Sequence, residues 1–182
     1  MAAEYVELHC HSGFSLLDGA SNPETLIARA AAIGMNAIAL TDHDDLGGGV
    51  RVAESGREHG VKALIGLELT MAAAATAATA GEEEPGARRG EHYRGAARRA
   101  PGPTSERPSP SHLTLLAMDE AGYRNLSRLV TRARAGDRGA PAVSWDDVER
   151  HAAGLFCLTG CPFGEVPQRL AKGDDAGARE RL

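Results

Sequence analysis

The chain has 182 residues, 42% hydrophobic and 25% charged, with 20 Lys plus Arg against 25 Asp plus Glu and a net charge of -5. That is one domain's worth of ordinary globular composition, and its acidity excludes a general nucleic-acid coat. No apolar run reaches the roughly 20 residues of a membrane span, no charged leader followed by an apolar segment marks secretion, and three cysteines fit a reducing, cytoplasmic compartment better than a disulfide scaffold.

Glu4 to His9 reads as a short strand built on Tyr5, Val6 and Leu8. A helix follows, with Asn22 as its N-cap, Pro23 in the first turn, Leu26, Ile27, Ala30 and Ala31 on its apolar face, and Gly34 at its end. Ala37 to Leu40 is a wholly apolar run that ends in Thr41-Asp42-His43-Asp44, the pattern of a buried parallel strand. Gly47-Gly48-Gly49 leads into a second helix that Gly60 ends, and Ala63 to Met71 is a third strand. This alternation over residues 1–71 predicts right-handed crossovers and a parallel sheet.

Residues 72–110 carry almost no large apolar side chain and are expected to form a disordered insertion. Order resumes with a strand over Leu113 to Ala117 and a helix capped by Asp119 that runs to about Arg134. Ser144 caps a short helix, Leu155 to Leu158 is a fifth strand, and two short helical stretches cover Glu165 to Leu170 and Asp174 to Leu182. Aromatics are only 4%, so the core must come from Ala, Leu, Val and Ile. The last helical pattern has no terminating signal, so the chain reads as the N-terminal piece of something longer.

His9 and His11 flank Cys10, so in a strand they share one face and make a plausible pair of metal ligands. His43 ends the next strand and Glu68 lies near the end of the third. Strand ends in a parallel α/β sheet converge on one rim, where ligands bind. Asp18 lies in a loop on that rim, although a turn Asp before Gly19 is the plainer reading. Cys161 follows the fifth strand onto the same rim, whereas Cys10 and Cys157 read as small buried apolar residues. His112 begins its strand, and the rim argument leaves it out. His59 and His151 read as helix-end surface residues, and His92 falls in the insertion. No GxxxxGK[ST] loop or GxSxG elbow competes.

Five segments carry a family resemblance: LHCHSGFSLLDGASNPETLI, AIALTDHDDLGGGVR, ALIGLEL, HLTLLAMDEAGYRNLSRLV and GLFCLTGCPFGEVPQRL. Together they resemble the PHP (polymerase and histidinol phosphatase) domain. Within it they look like the N-terminal PHP domain of bacterial DnaE-type, family C DNA polymerase III alpha subunits, most of all the error-prone branch. The resemblance implies an α/β fold, a distorted seven-stranded (β/α) barrel, of which this chain would hold about five strands. It also implies divalent metal ions, Zn²⁺ or Mn²⁺, in up to three sites. By motif, the ligands would be His9, His11, Asp18, His43, Glu68, His112 and Cys161, with Glu68, His9 and His11 as the residues most involved in catalysis. A further Asp and His of the family's set would lie beyond Leu182, so the 182 residues alone are expected to be inactive.

The implied function is that of a polymerase PHP domain with a 3′–5′ exonuclease type of phosphoesterase cleft, working in DNA replication and repair synthesis. Its partners would be DNA, through the polymerase portion, and other replication or translesion proteins. Two alternatives remain open from sequence: a structural, non-catalytic module of the polymerase, and a free-standing phosphatase of the histidinol-phosphatase type. The HLTLLA and GYRNL phrases speak against the second.

Overall fold

The structure is a computed structural model that describes residues 5–72, 111–135 and 140–182. The expected insertion at 72–110 lies, beyond Ala72, outside the described residues, as does His92. Among the described residues, six helices and four strands follow in the order α1 (Pro23–Ala32), β1 (Ala37–Leu40), α2 (Gly49–His59), β2 (Lys62–Met71), β3 (Ser111–Ala117), α3 (Glu120–Ala135), α4 (Trp145–Arg150), β4 (Leu155–Cys157), α5 (Glu165–Ala171) and α6 (Asp175–Glu180). No helix among the described residues is long and apolar enough to cross a membrane.

The sheet order is β1-β2-β3-β4. β1 runs parallel to the first half of β2, from Ala37 opposite Lys62 to Leu40 opposite Ile65. The second half of β2 changes partner and pairs antiparallel with β3, from Gly66 opposite Leu116 to Met71 opposite Ser111. β4 is again antiparallel to β3. The parallel arrangement expected of the first 71 residues therefore holds there and reverses after it.

The expected strand over Glu4 to His9 is reduced, among its described residues, to one parallel bridge between Glu7 and Ile38. Side chains take up amides that a ladder would use: the Glu7 carboxylate accepts from His9 N at 3.0 Å, and Thr41 Oγ1 accepts from Cys10 N at 3.1 Å. Two backbone bonds still dock this segment on β1, Ala39 N to Glu7 O at 2.8 Å and Thr41 N to Cys10 O at 2.9 Å.

The helix ends follow their residues with one exception. Pro23 opens α1, but Asn22 is extended and its side chain makes no capping bond. Gly60 closes α2 at φ 68°. Asp119 Oδ1 accepts from Gly122 N at 2.8 Å at the start of α3, and Ser144 Oγ accepts from Asp147 N at 3.2 Å at the start of α4.

The core falls into two clusters. Ile27, Ala30, Ile38, Leu40, Val52 and Val61 pack α1 and α2 on β1. Leu67, Leu69, Leu113, Leu115, Leu126 and Leu129 lead the second, which packs α3 on β2 and β3. Cys10 packs on the first cluster, as expected of a small apolar residue. Cys157 does not. It is exposed together with Phe156, because β4 is the edge of the sheet and the second cluster reaches only as far as Leu155.

Close backbone approach fixes the start of α3. A Cβ on Gly122 would overlap the carbonyl oxygen of Gly154, whose own φ is 73°. Gly122→Ala is therefore expected to destabilise despite the gain of about 1 kcal/mol that alanine brings to a helix. Overpacking against backbone costs roughly 3 kcal/mol. Urea unfolding should show a net loss near 2 kcal/mol, and an unchanged midpoint would mean that the two backbones separate freely.

Candidate metal centre

Glu68 is the centre of the site. It lies on β2 at 2% exposure, where a carboxylate needs compensation. Its Oε1 is 3.3 Å from His9 Nε2, 3.1 Å from His112 Nδ1 and 3.3 Å from Cys161 Sγ. Its Oε2 is 2.9 Å from His11 Nε2 and 3.2 Å from His43 Nδ1. His9 and His11 do share one face, with their Nε2 atoms 3.2 Å apart.

Two triads, His9–His11–Glu68 and His43–Glu68–His112, each bring their ligand atoms within 4.8 Å of one another, and Glu68 belongs to both. Imidazole nitrogens, a shared carboxylate and an adjacent thiol form a donor set suited to a divalent transition metal. Asp18 is placed differently. Its side chain is 67% exposed, and its Oδ2 is 2.8 Å from His11 Nδ1, on the far side of that ring from Glu68.

Strand direction explains His112. β3 runs antiparallel to β2 and pairs His112 with Thr70, so the start of β3 lies beside the end of β2. Gly164 bridges to His112, and His112 N donates to Phe163 O at 3.0 Å, which brings the Cys161 loop onto the same rim. Gly160, at φ 102°, makes the turn into that loop.

The His9–His11 segment is anchored by Asp42, which in the sequence stands only as one member of the polar run Thr41-Asp42-His43-Asp44. Asp42 is 1% exposed and accepts three bonds: Ser12 N at 2.6 Å, Ser12 Oγ at 2.7 Å and Ser15 Oγ at 2.7 Å. Ser15 Oγ in turn accepts from His43 N at 2.9 Å. Nothing in the residue pattern marks Ser12, Ser15 or Thr70 as supports. His59 and His151 bond to helix carbonyls of Ser55 and Asp147, apart from the site.

Charge is strongly coupled here. Burial pushes Glu68 up, but hydrogen bonds from His11, His112, His43 and His9 outweigh it and hold the carboxyl far below its usual range. His11 and His43 are both raised, chiefly by the Glu68 bond and against the effect of burial. Burial, with Glu68 beside it, raises the Cys161 thiol.

The PHP domain family matches residues 7–182. The chain is 40% identical over 181 residues to the error-prone DNA polymerase of Mycobacterium tuberculosis (strain ATCC 25618 / H37Rv), covering 98% of this chain and 14% of that protein. It is 37% identical over 177 residues to the DNA polymerase III subunit alpha of Treponema pallidum, covering 97% of this chain and 13% of that one. The chain thus spans about one seventh of the length of these relatives. A solved amidohydrolase from Chromobacterium violaceum aligns at a TM-score of 0.46 and 21% identity, over 95% of this chain and 48% of that one. A provisionally assigned metal-dependent phosphoesterase from Bifidobacterium adolescentis aligns at 0.47 and 20%, over 94% and 51%. Matched from Glu7 to Leu182 and homologous to parts of error-prone polymerases, the chain belongs to the PHP domain family.

Proposed function

We propose that this chain is the PHP domain of an error-prone, DnaE-like DNA polymerase and that its cleft is a divalent-metal phosphoesterase site of 3′–5′ exonuclease type. The observation that carries the reading is one buried carboxylate, Glu68, within 3.3 Å of four imidazoles and a thiol. Bound divalent ions supply Lewis acidity toward a phosphodiester and lower the pKa of water. Glu68 would hold two of them as a shared ligand, with His9 and His11 on one side and His43 and His112 on the other. Cys161 would add sulfur beside His112, which favours Zn²⁺, while the carboxylate bridge admits Mn²⁺. Asp18 would act from the open side, through His11 or as a ligand after loop movement. DNA synthesis, DNA binding and contacts with other replication proteins belong in this reading to the polymerase portion, and the setting is the cytoplasm.

The test uses the chain extended to the length of its polymerase relatives. Hydrolysis of a 3′-labelled oligonucleotide with Mn²⁺ or Zn²⁺ is expected to fall to background in a His9→Ala/His11→Ala variant, with polymerisation retained. Unchanged hydrolysis places the nuclease elsewhere. A wild type that binds metal and hydrolyses nothing makes the domain a structural brace.

A further inference from the structure

We propose that Thr70 is a positioning residue that fixes which nitrogen of His43 faces the metal cleft. The inference rests on the metal reading above and deepens it. His43 presents Nδ1 to Glu68 Oε2 at 3.2 Å and Nε2 to Thr70 Oγ1 at 3.1 Å. Thr70 Oγ1 donates to Asp44 Oδ2 at 2.7 Å, and Thr70 N donates to Asp44 Oδ1 at 2.9 Å.

A threonine hydroxyl has one proton, and an ionised carboxylate only accepts. Since Thr70 gives its proton to Asp44, its lone pair is left to accept, and the group facing it is His43 Nε2. Nε2 therefore carries a proton toward Thr70, and Nδ1 is the nitrogen left to face Glu68, where it donates in the metal-free chain and where a cation would take that proton's place. Without the hydroxyl, nothing holds Nε2 on the far side, and the ring could turn over and withdraw Nδ1 from the cleft.

The relay is itself held in place. Asp44 is 4% exposed and adopts φ 49°, an uncommon conformation for a residue other than glycine. Arg134, near the end of α3, donates to Asp44 O at 2.8 Å and to Asp45 Oδ2 at 2.6 Å. Metal-binding histidines commonly give their second N–H to a carboxylate or carbonyl, and losing that partner costs roughly 10- to 100-fold in metal affinity. Here a hydroxyl stands between ring and carboxylate, because Nε2 is 3.7 Å from Asp44 Oδ2.

Thr70→Val keeps the β-branch and removes the hydroxyl. We expect Zn²⁺ affinity, measured by chelator competition, to fall roughly 10- to 100-fold, and Thr70→Ser to restore it to within a few-fold. Long-range ¹H–¹⁵N spectra of the Zn²⁺-loaded protein should show His43 bound through Nδ1 with Nε2 protonated in wild type, and a mixture of ring states in Thr70→Val. A wild-type ring bound through Nε2 overturns the inference without any variant. So does a Thr70→Val protein that binds as wild type does, or a Thr70→Ser protein that fails to recover. If wild type takes up no Zn²⁺, the metal reading fails and the inference with it, whereas Zn²⁺ uptake that ignores Thr70→Val sinks the role of Thr70 alone.

Discussion

Glu68→Ala is expected to abolish metal uptake, with the variant emerging from purification and dialysis against Zn²⁺ at background metal content. Every ligand pair in the cleft meets at this carboxylate, and no other acid in either triad can bridge. Without metal, the substitution also removes the acceptor of four imidazoles, at a cost of roughly 1–3 kcal/mol at neutral pH.

The pH profile gives a second readout. His11 and His43 are raised above 6.5 in the folded chain, so their contribution is full below that pH and is lost as pH rises through the raised values. Glu68 is depressed below 4.5, so its contribution is present above that pH and is lost as pH falls toward the depressed value. The wild-type minus Glu68→Ala difference in stability should therefore be largest between about pH 4.5 and 6.5 and shrink on both sides. Metal analysis and urea titrations across pH check both statements. Retained metal, or a flat difference curve, removes Glu68 from the centre of the site.

Asp42→Ala is expected to cost roughly 4 kcal/mol. Three donors that now meet a buried carboxylate would face nothing, and each such orphan costs about 1–3 kcal/mol. Asp42→Asn should cost less, because the amide oxygen still accepts. The His9–His11 segment hangs on Ser12, so metal affinity should fall along with stability. Urea unfolding of the metal-free variants, followed by chelator competition, measures both. A midpoint equal to wild type would show that the segment is held by its backbone bonds to β1 alone.

Much of this was readable from residue pattern. Pro23, Gly34, Gly60, Asp119 and Ser144 mark helix ends by local chemistry, and the apolar run of β1 and the position of Glu68 follow from strand periodicity. The direction of β3 was not readable. Whether a strand runs with or against its neighbour depends on long-range pairing, and His112 could join the rim only through the motif resemblance. Cys157 misled because apolar neighbours in sequence do not reveal that a strand will be the sheet's edge. Ser12, Ser15 and Thr70 give no signal in sequence, because small hydroxyl residues near loops look solvated. Their role appears only once Asp42 and Asp44 are seen to be buried opposite them.

The change of partner midway along β2 has a consequence for cooperativity. Its first half is stabilised by the α1–β1–α2 core and its second by the core under α3, so the two halves can open as separate units. His9 and His11 hang from the first unit and Glu68 and His112 from the second, while the His43 segment, bridged to Glu68, lies on the seam. A cation gripped by both would act as a clasp across the seam and merge two openings into one. Amide exchange should then show two protection levels in the metal-free chain and a single level once Zn²⁺ is bound, and two levels persisting in the loaded protein would mean that the clasp does not close.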